Sequence, residues 1–395
     1  MDTGIGRKDA NSKMEKIAID LLWVRPGKVG GTESYIRNLL DGWAQLEAEF
    51  DFTLLVSKDN ADTFRKYEKD QRYHLLVAAV KSENIGKRII WQNLFQNRLL
   101  RKNGFRKCFE PVYCKPWLNG SIQYTCVIHD LQALHYPEYH PFHEIVYSRL
   151  CWRMDVINAA RIVAISNWVK TDIEKKYHRK DIQVIYNPIF VKKSETVDFA
   201  HLRKKYNIEQ KRFFYTVSQM IPHKNLQTLI NVMERIVSEK RGQGQDRFRD
   251  GVDGLPEKLL ISGVNGNAAE ELKKQIRDKS LQDAVILTGF VSNEERNALY
   301  QNCHTFLFPS VFEGFGMPPI EAMLFKTRVI TTRCASIPEV TQEKAVYVDD
   351  PYDVEEWINK LQNGYSQESM NFSVYDPEQI SKQYLAFLQN PIWMK

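Results

Sequence analysis

No stretch of this chain approaches the roughly 20 consecutive apolar residues that a helix needs to cross a bilayer, so the sequence offers no candidate membrane span. Cysteine is sparse too, with six residues in 395 and no C-x-x-C pair. That excludes a disulfide scaffold and a cysteine-based zinc finger, and reads as reduced thiols placed mostly in the core. Met1 to Lys16 is polar and lacks the apolar run of a secretory leader, so the expected compartment is the cytoplasm. Net charge is only +6, too little at this size to argue for a nucleic-acid partner. One segment does lack charge of one sign. Lys87 to Lys107 holds Lys87, Arg88, Arg98, Arg101, Lys102, Arg106 and Lys107 without an acid among them. Ile90, Trp91, Leu94, Phe95, Leu99 and Leu100 are interleaved at spacings that predict an amphipathic helix. Such a helix fits an anionic membrane surface, or a normal place on its own sheet with the basic side solvated.

The chain does carry enough apolar residues, 43%, and enough charge, 26%, for a soluble globular protein. Its length allows two domains. Short apolar runs alternate with helical patterns, which predicts an α/β fold with parallel sheets covered on both faces. The first series of expected strands is Lys16–Leu22, Phe52–Val56, Tyr73–Val77, Gln123–Ile128, Arg161–Ile165 and Ile182–Ile185. The second is Arg212–Val217, Lys258–Ser262, Ala284–Thr288, Thr305–Phe308, Arg328–Thr331 and Ala345–Val348. The polar, proline-marked stretch after Asn187 separates an expected first domain, 1–192, from a second, 193–375. Arg241 to Glu257, rich in Gly, Asp and Arg, reads as an exposed loop insertion, and 376–395 reads as a final helix.

Chemistry concentrates at Pro309 to Met323, where an apolar strand runs into a glycine-broken loop and then a helix. Pro318 or Pro319 suits the first helical position, and the free N–H groups of a helix start make a site for an anion. Glu313 stands in the loop and Glu321 about a turn into the helix. Two acids flanking an anion cradle suit a ligand that carries both phosphates and hydroxyls. Gly30-Gly31 follows the first strand and can let backbone approach a phosphate or a sugar. Ser218-Gln219-Met220-Ile221-Pro222-His223-Lys224 follows the first strand of the second series, and Lys224 can neutralise charge on a departing phosphate. His129, His135, His140 and His143 cluster in sequence, but their spacings match neither H-x-x-x-H nor a finger, so no metal is expected.

Glu313 and Glu321 with the residues between them resemble the E-x7-E signature of the retaining glycosyltransferases of family 4. The resemblance extends over most of the chain, from Gly30-Gly31 through His129-Asp130 and Ser218 to Lys224. It implies the GT-B fold, two Rossmann-like domains facing each other across a cleft, with the C-terminal helix 376–395 crossing back to the first domain. It implies an acceptor domain followed by a nucleotide-sugar donor domain, and metal-independent transfer with no cofactor beyond the donor. By the same resemblance Glu321 binds ribose hydroxyls, while Glu313 sits by the transferred sugar with His129 facing that sugar. The backbone of Phe315, Gly316 and Met317 orients sugar and phosphate, Lys224 with Ser218 and Gln219 lines the phosphates, and Val291 meets the base. Gln219 departs from the family pattern, which has arginine there. The local residues resemble bacterial capsule and O-antigen enzymes, which implies transfer of a hexose or deoxyhexose to a lipid-linked glycan. A catalytically silent nucleotide-sugar-binding subunit and a GT-B phosphorylase or epimerase remain as alternatives.

Overall fold

The computed structural model describes residues 15–390 apart from 29, 114, 119, 192, 194, 243–253, 264–265, 267 and 364–367. The N-terminal tail and most of the expected insertion at 241–257 therefore lie outside the described residues.

Thirteen strands form among the described residues: β1 Lys16–Asp20, β2 Asp51–Val56, β3 Tyr73–Val77, β4 Lys107–Glu110, β5 Gln123–Ile128, β6 Arg161–Ala164, β7 Ile182–Val184, β8 Phe214–Val217, β9 Leu259–Ser262, β10 Val285–Gly289, β11 Thr305–Phe308, β12 Arg328–Thr332 and β13 Val346–Val348. They build a seven-stranded sheet in the order β3-β2-β1-β4-β5-β6-β7 and a six-stranded sheet in the order β10-β9-β8-β11-β12-β13. Each recorded pairing is parallel, as β1 with β2 and β4, and β8 with β9 and β11. Both sheets start from their middle and reverse direction once, the doubly wound order whose ligand crevice opens at the strand C-termini where the order reverses. In the second sheet that point lies between β8 and β11, so the ends of these strands, Ser218 and Pro309 onward, flank it.

Contacts divide the chain into two compact units. One comprises Met1–Val127, Leu150–Val163 and Ser381–Lys395, and the other Ile128–Arg149 and Ala164–Ile380. In the first, buried Trp43 meets Phe52 at 4.8 Å and Phe109 at 6.0 Å between ring centres, and its indole N–H donates to the Ser381 carbonyl at 2.9 Å. Tyr384, four helical residues from Ile380 as the sequence spacing predicts, packs edge-on to Phe109 and Trp43. In the second, the helix Leu226–Gly242 lays Leu229, Ile230, Met233 and Ile236 against Phe214, Leu259 and Ile261.

Strand β4 is absent from the sequence expectation. Lysine and glutamate at its ends disguise four buried residues. Lys107 is not a surface cation of the basic segment: its ammonium donates to the carbonyls of Leu388, Gln389 and Asn390 and pairs with Glu15 at 2.7 Å. The helical part of that segment runs Ile85–Trp91, a π turn Gln92–Gln96, and Asn97–Lys102. Its faces are the reverse of a core helix. Arg88, Gln92 and Gln96 are buried, while Ile90, Leu94 and Phe95 are 60%, 65% and 48% exposed. Gln92 donates to the buried Asp20 carboxylate at 3.2 Å. Residues four apart drift about 40° around a regular α-helix; the wider π turn takes up the drift and keeps the polar row inward.

Candidate functional site

The loop after β11 is held by its carbonyls. Ser336 Oγ donates to the carbonyls of Glu313 (2.8 Å) and Phe315 (3.1 Å), and Ser166 Oγ to that of Gly314 (2.9 Å). Thr332 Oγ1 binds the Ser310 carbonyl at 2.6 Å, and Ser310 Oγ in turn donates to Phe312 at 3.1 Å. A further side chain fixes the neighbourhood of Ser166: the Glu339 carboxylate accepts from the backbone N–H groups of Asn167 and Trp168 at the start of the helix Asn167–Tyr177. With its oxygens engaged, the loop has its N–H groups left over. Among the described residues those of Phe315, Gly316 and Met317 make no hydrogen bond.

Gly316 adopts φ 86° and ψ 63°, left-handed backbone that suits glycine, and caps the helix Met317–Leu324. The helix therefore begins at Met317, one or two residues before the expected Pro318 or Pro319. The two prolines occupy its first turn, where no N–H partner exists within the helix.

Lys224 ends a short 3-10 turn, Pro222–Lys224, after β8. Its ammonium meets Glu313 Oε1 at 2.6 Å, with both side chains largely buried (18% and 12% exposed). Gly314 brings a third element in. A Cβ on it would lie 1.9 Å from the backbone oxygen of His129, so the Glu313 loop and the His129-Asp130 turn are packed backbone to backbone. The Asp130 carboxyl accepts from the Gln132 N–H at 2.9 Å. Burial raises its pKa, opposed by that bond and by the charge of Lys224, while Glu313 adds to the rise.

Glu321 points to a different set. Its Oε2 accepts from the Tyr300 hydroxyl at 2.9 Å and lies 3.5 Å from Arg296 Nε. The Glu321 charge raises the Arg296 pKa, and burial raises that of the Tyr300 phenol. Both partners stand on the helix Asn293–Asn302, which Ser292 and Glu295 start with a reciprocal capping box. Val291, just before that cap, is buried, while Phe290 is exposed.

Residues 198–375 match the family model for glycosyl transferases group 1, and residues 29–193 match that for glycosyltransferase family 4. The chain belongs to glycosyltransferase family 4. It is 31% identical over 241 residues to the O-antigen chain mannosyltransferase RfbU of Salmonella typhimurium, a match covering 60% of each chain. It is 23% identical over 232 residues to O-antigen chain mannosyltransferase B of Escherichia coli, covering 58% of this chain and 57% of that one. The chain thus spans less than two thirds of these curated relatives. Sucrose-phosphate synthase from Thermosynechococcus elongatus superposes with a TM-score of 0.67 at 16% identity, covering 95% of both chains. WaaG, a glycosyltransferase of lipopolysaccharide biosynthesis, superposes with a TM-score of 0.62 at 14% identity, covering 93% of this chain and 94% of that one. The two parallel sheets are those of the GT-B architecture.

Of the residues that the family resemblance singles out, the second unit gathers Glu313, Lys224, Phe315, Gly316, Met317 and the His129 backbone around one loop. Ser218 and Gln219 stand at the end of β8, Gln219 exposed and Ser218 Oγ without a hydrogen bond among the described residues. Gly30 and Gly31 belong to the first unit. There Gly30 (φ 73°) precedes the helix Gly31–Gln45, and buried Glu33 ties the loop by accepting from the Gly27 N–H at 2.9 Å. Two of the other clustered histidines have separate partners, His135 with Asp172 at 2.7 Å and His140 with Glu144 at 3.8 Å. Among the described residues no group of three or more His, Cys, Asp or Glu is placed to hold a metal ion.

Three residues escaped the sequence reading. Tyr300 and Arg296 carry no local motif, and only the fold brings them to Glu321. Gly263 could have been noticed as a glycine directly after an apolar strand. A Cβ there would meet the Ser218 carbonyl at 1.9 Å, so the turns after β8 and β9 touch through backbone.

His223 gives the site's surroundings a pH signature. Burial, reinforced by the Lys224 charge, depresses its imidazole to about 2 from an ordinary 6.5. The unfolded chain then binds one more proton than the native chain between these values. The His223 contribution is complete above pH 6.5 and declines as pH falls toward 2, by about 1.4 kcal/mol per pH unit. Urea unfolding of wild type and His223→Gln at pH 7.5, 6 and 5 should show the variant's stability falling less steeply below pH 6.5. Equal slopes would remove His223 from the acid response.

Proposed function

We propose that this chain is a retaining glycosyltransferase that moves a hexose or deoxyhexose from a nucleotide-diphosphate sugar to a glycan acceptor carried on a lipid, in bacterial surface polysaccharide synthesis. Residues 193–375 hold the donor and 1–192 the acceptor, without a metal, at the inner face of the cell membrane. Mannose is the favoured hexose, because the two curated relatives above are named mannosyltransferases. A nucleotide-diphosphate donor is supported by HepE of Anabaena, a similar fold (TM-score 0.61) obtained with UDP and glucose.

The observation that carries this reading is the Lys224–Glu313 pair beside the unbonded N–H groups of Phe315, Gly316 and Met317. Those N–H groups, the start of the helix and Lys224 would bind the diphosphate and stabilise the charge it gains on leaving. Glu321, oriented by Tyr300 and Arg296, would take the ribose hydroxyls. Val291 would meet the base through its backbone, and His129 would face the sugar. As the anomeric C–O bond to the diphosphate breaks, the acceptor oxygen forms its bond on the same face and its proton passes to the departing phosphate oxygen. Glu313 would stabilise positive charge at the anomeric carbon. An ion pair at 2.6 Å lowers the nucleophilicity of that carboxylate, which favours this route over a covalent glycosyl-enzyme.

Thermal unfolding with UDP, GDP, dTDP and ADP, on wild type and Glu321→Ala, tests the donor site. A nucleotide at 100 times its Kd should add about 2.7 kcal/mol to wild-type stability. One base should act on wild type and lose most of its effect on the variant. No shift with any of them would reject the reading. Exposed, uncharged Gln219 in place of the family's arginine favours a second reading, a binding subunit without turnover. Nucleotide stabilisation without sugar transfer would select it.

A further inference from the structure

We infer that three tyrosines of the second unit, Tyr136, Tyr139 and Tyr352, form a stacking site for a pyranose unit of the acceptor glycan. The inference deepens the proposed function and rests on its glycan acceptor. Tyr136 and Tyr139 follow the short helix Gln132–His135 and stack with parallel planes, their ring centres 5.4 Å apart. Tyr136 stands edge-on to buried Phe312 at 5.6 Å, and its hydroxyl donates to the Val311 carbonyl at 3.4 Å. Tyr352 arrives from the turn after β13. Partial burial raises its phenol pKa, and the neighbouring Tyr139, Tyr136 and Cys334 groups add to the rise, so three rings and a thiol share one place. Chain neighbours tie this place to the candidate site. Phe312 directly precedes Glu313, and Asn225, next to Lys224, donates to the Pro351 carbonyl at 2.8 Å just before Tyr352.

Packing accounts for Phe312 but not for Tyr352, which is 56% exposed. The cluster lies beyond the carboxyl ends of β11, β12 and β13, the edge at which doubly wound sheets take ligands. An aromatic face is apolar and carries the negative part of the ring quadrupole, which attracts the C–H side of a pyranose. Phenol hydroxyls can both donate to and accept from the hydroxyls of a sugar. The charge at the border is negative. Exposed Asp350 accepts from the Tyr352 N–H at 2.9 Å, and its charge adds to the rise that burial gives the Cys334 pKa. Glu138, also exposed, adds likewise to the rise that burial gives Tyr136. Carboxylates accept from hydroxyl groups and repel phosphate. A neutral sugar therefore suits the rings and their border together, while a diphosphate suits neither, and a purely apolar group would leave the hydroxyls and acids unused.

The test uses the full chain with methyl glycosides of mannose, glucose, galactose, rhamnose and N-acetylglucosamine. Binding is read by saturation-transfer NMR and by the rate at which iodoacetamide alkylates Cys334, resolved by peptide mass. At least one glycoside should show saturation transfer and slow Cys334 alkylation about fivefold or more. Tyr352→Ala should weaken that binding about tenfold, while Tyr352→Phe, which keeps the ring, should weaken it about threefold or less. Thermal stabilisation by nucleotide should be the same in wild type and both variants, because the groups assigned to the donor are untouched. Nucleotide stabilisation with no glycoside bound would overturn this inference and leave the donor site standing. Glycoside bound at Tyr352 with no nucleotide stabilisation would uphold the sugar site and reject the donor reading. Glycoside binding unaltered by Tyr352→Ala, or Cys334 shielded by nucleotide and not by glycoside, would overturn the inference as well.

Discussion

Glu313→Gln is expected to lower kcat about 10³-fold, the scale of losing one preorganised electrostatic group at a transition state. Nucleotide affinity should change little, because ribose binding is assigned to Glu321, held separately by Tyr300 and Arg296. The substitution keeps the size of the side chain and removes the charge that pairs with Lys224 at 2.6 Å. Lys224→Met should be of similar severity. The double variant should be little worse than either, since groups acting as a unit are not additive. Stopped assays with donor and acceptor, together with nucleotide titrations, would measure all three. A Glu313→Gln protein within threefold of wild-type turnover would remove Glu313 from the chemistry. Fully additive losses would mean that the pair does not act as a unit.

Gly314→Ala should be nearly as damaging without touching a charge. Its Cβ would lie 1.9 Å from the His129 oxygen and 2.9 Å from the His129 carbonyl carbon, both backbone atoms. A Cβ essentially never comes within 3.0 Å of another such atom, so the loop and the His129-Asp130 turn must part by about 1 Å. Displacement on that scale costs about 10²-fold in rate, and overpacking costs about 1–3 kcal/mol in stability. Gly104→Ala serves as the control. Its φ of 82° strains an alanine, yet a Cβ there meets nothing within 4 Å. It should lose about 1–2 kcal/mol of stability and keep wild-type kcat. Equal effects at the two glycines on both measures would show that the close approach at His129 does not govern the loop.

What local pattern could encode was legible in the residue order. Strands buried on both faces are near-continuous apolar runs, so Gln123–Ile128 and Thr305–Phe308 have the bounds that the sequence predicts. Glu313, Gly314, Gly316 and the prolines lie within one loop and helix start, so their chemistry needed only spacing to be noticed. The final helix was readable from Ile380, Tyr384 and Leu388 for the same reason. Strand β4 was not, because Lys107 and Glu110 look solvated until three carbonyls at 388–390 are seen to hold the lysine.

Tertiary structure alone decided what depends on distant segments meeting. Lys224 and Glu313 are 89 residues apart, and no periodicity links them; the β8–β11 reversal of the sheet brings their strand ends side by side. Tyr300 reaches Glu321 only because a capped helix returns against the next one. The outward apolar face at Ile90, Leu94 and Phe95 is the clearest case. Its spacing in sequence fits a core stripe as well as a membrane-facing one. The choice was made by buried Asp20, whose carboxyl needs polar partners, so that Gln92 points in and the apolar residues are left facing out.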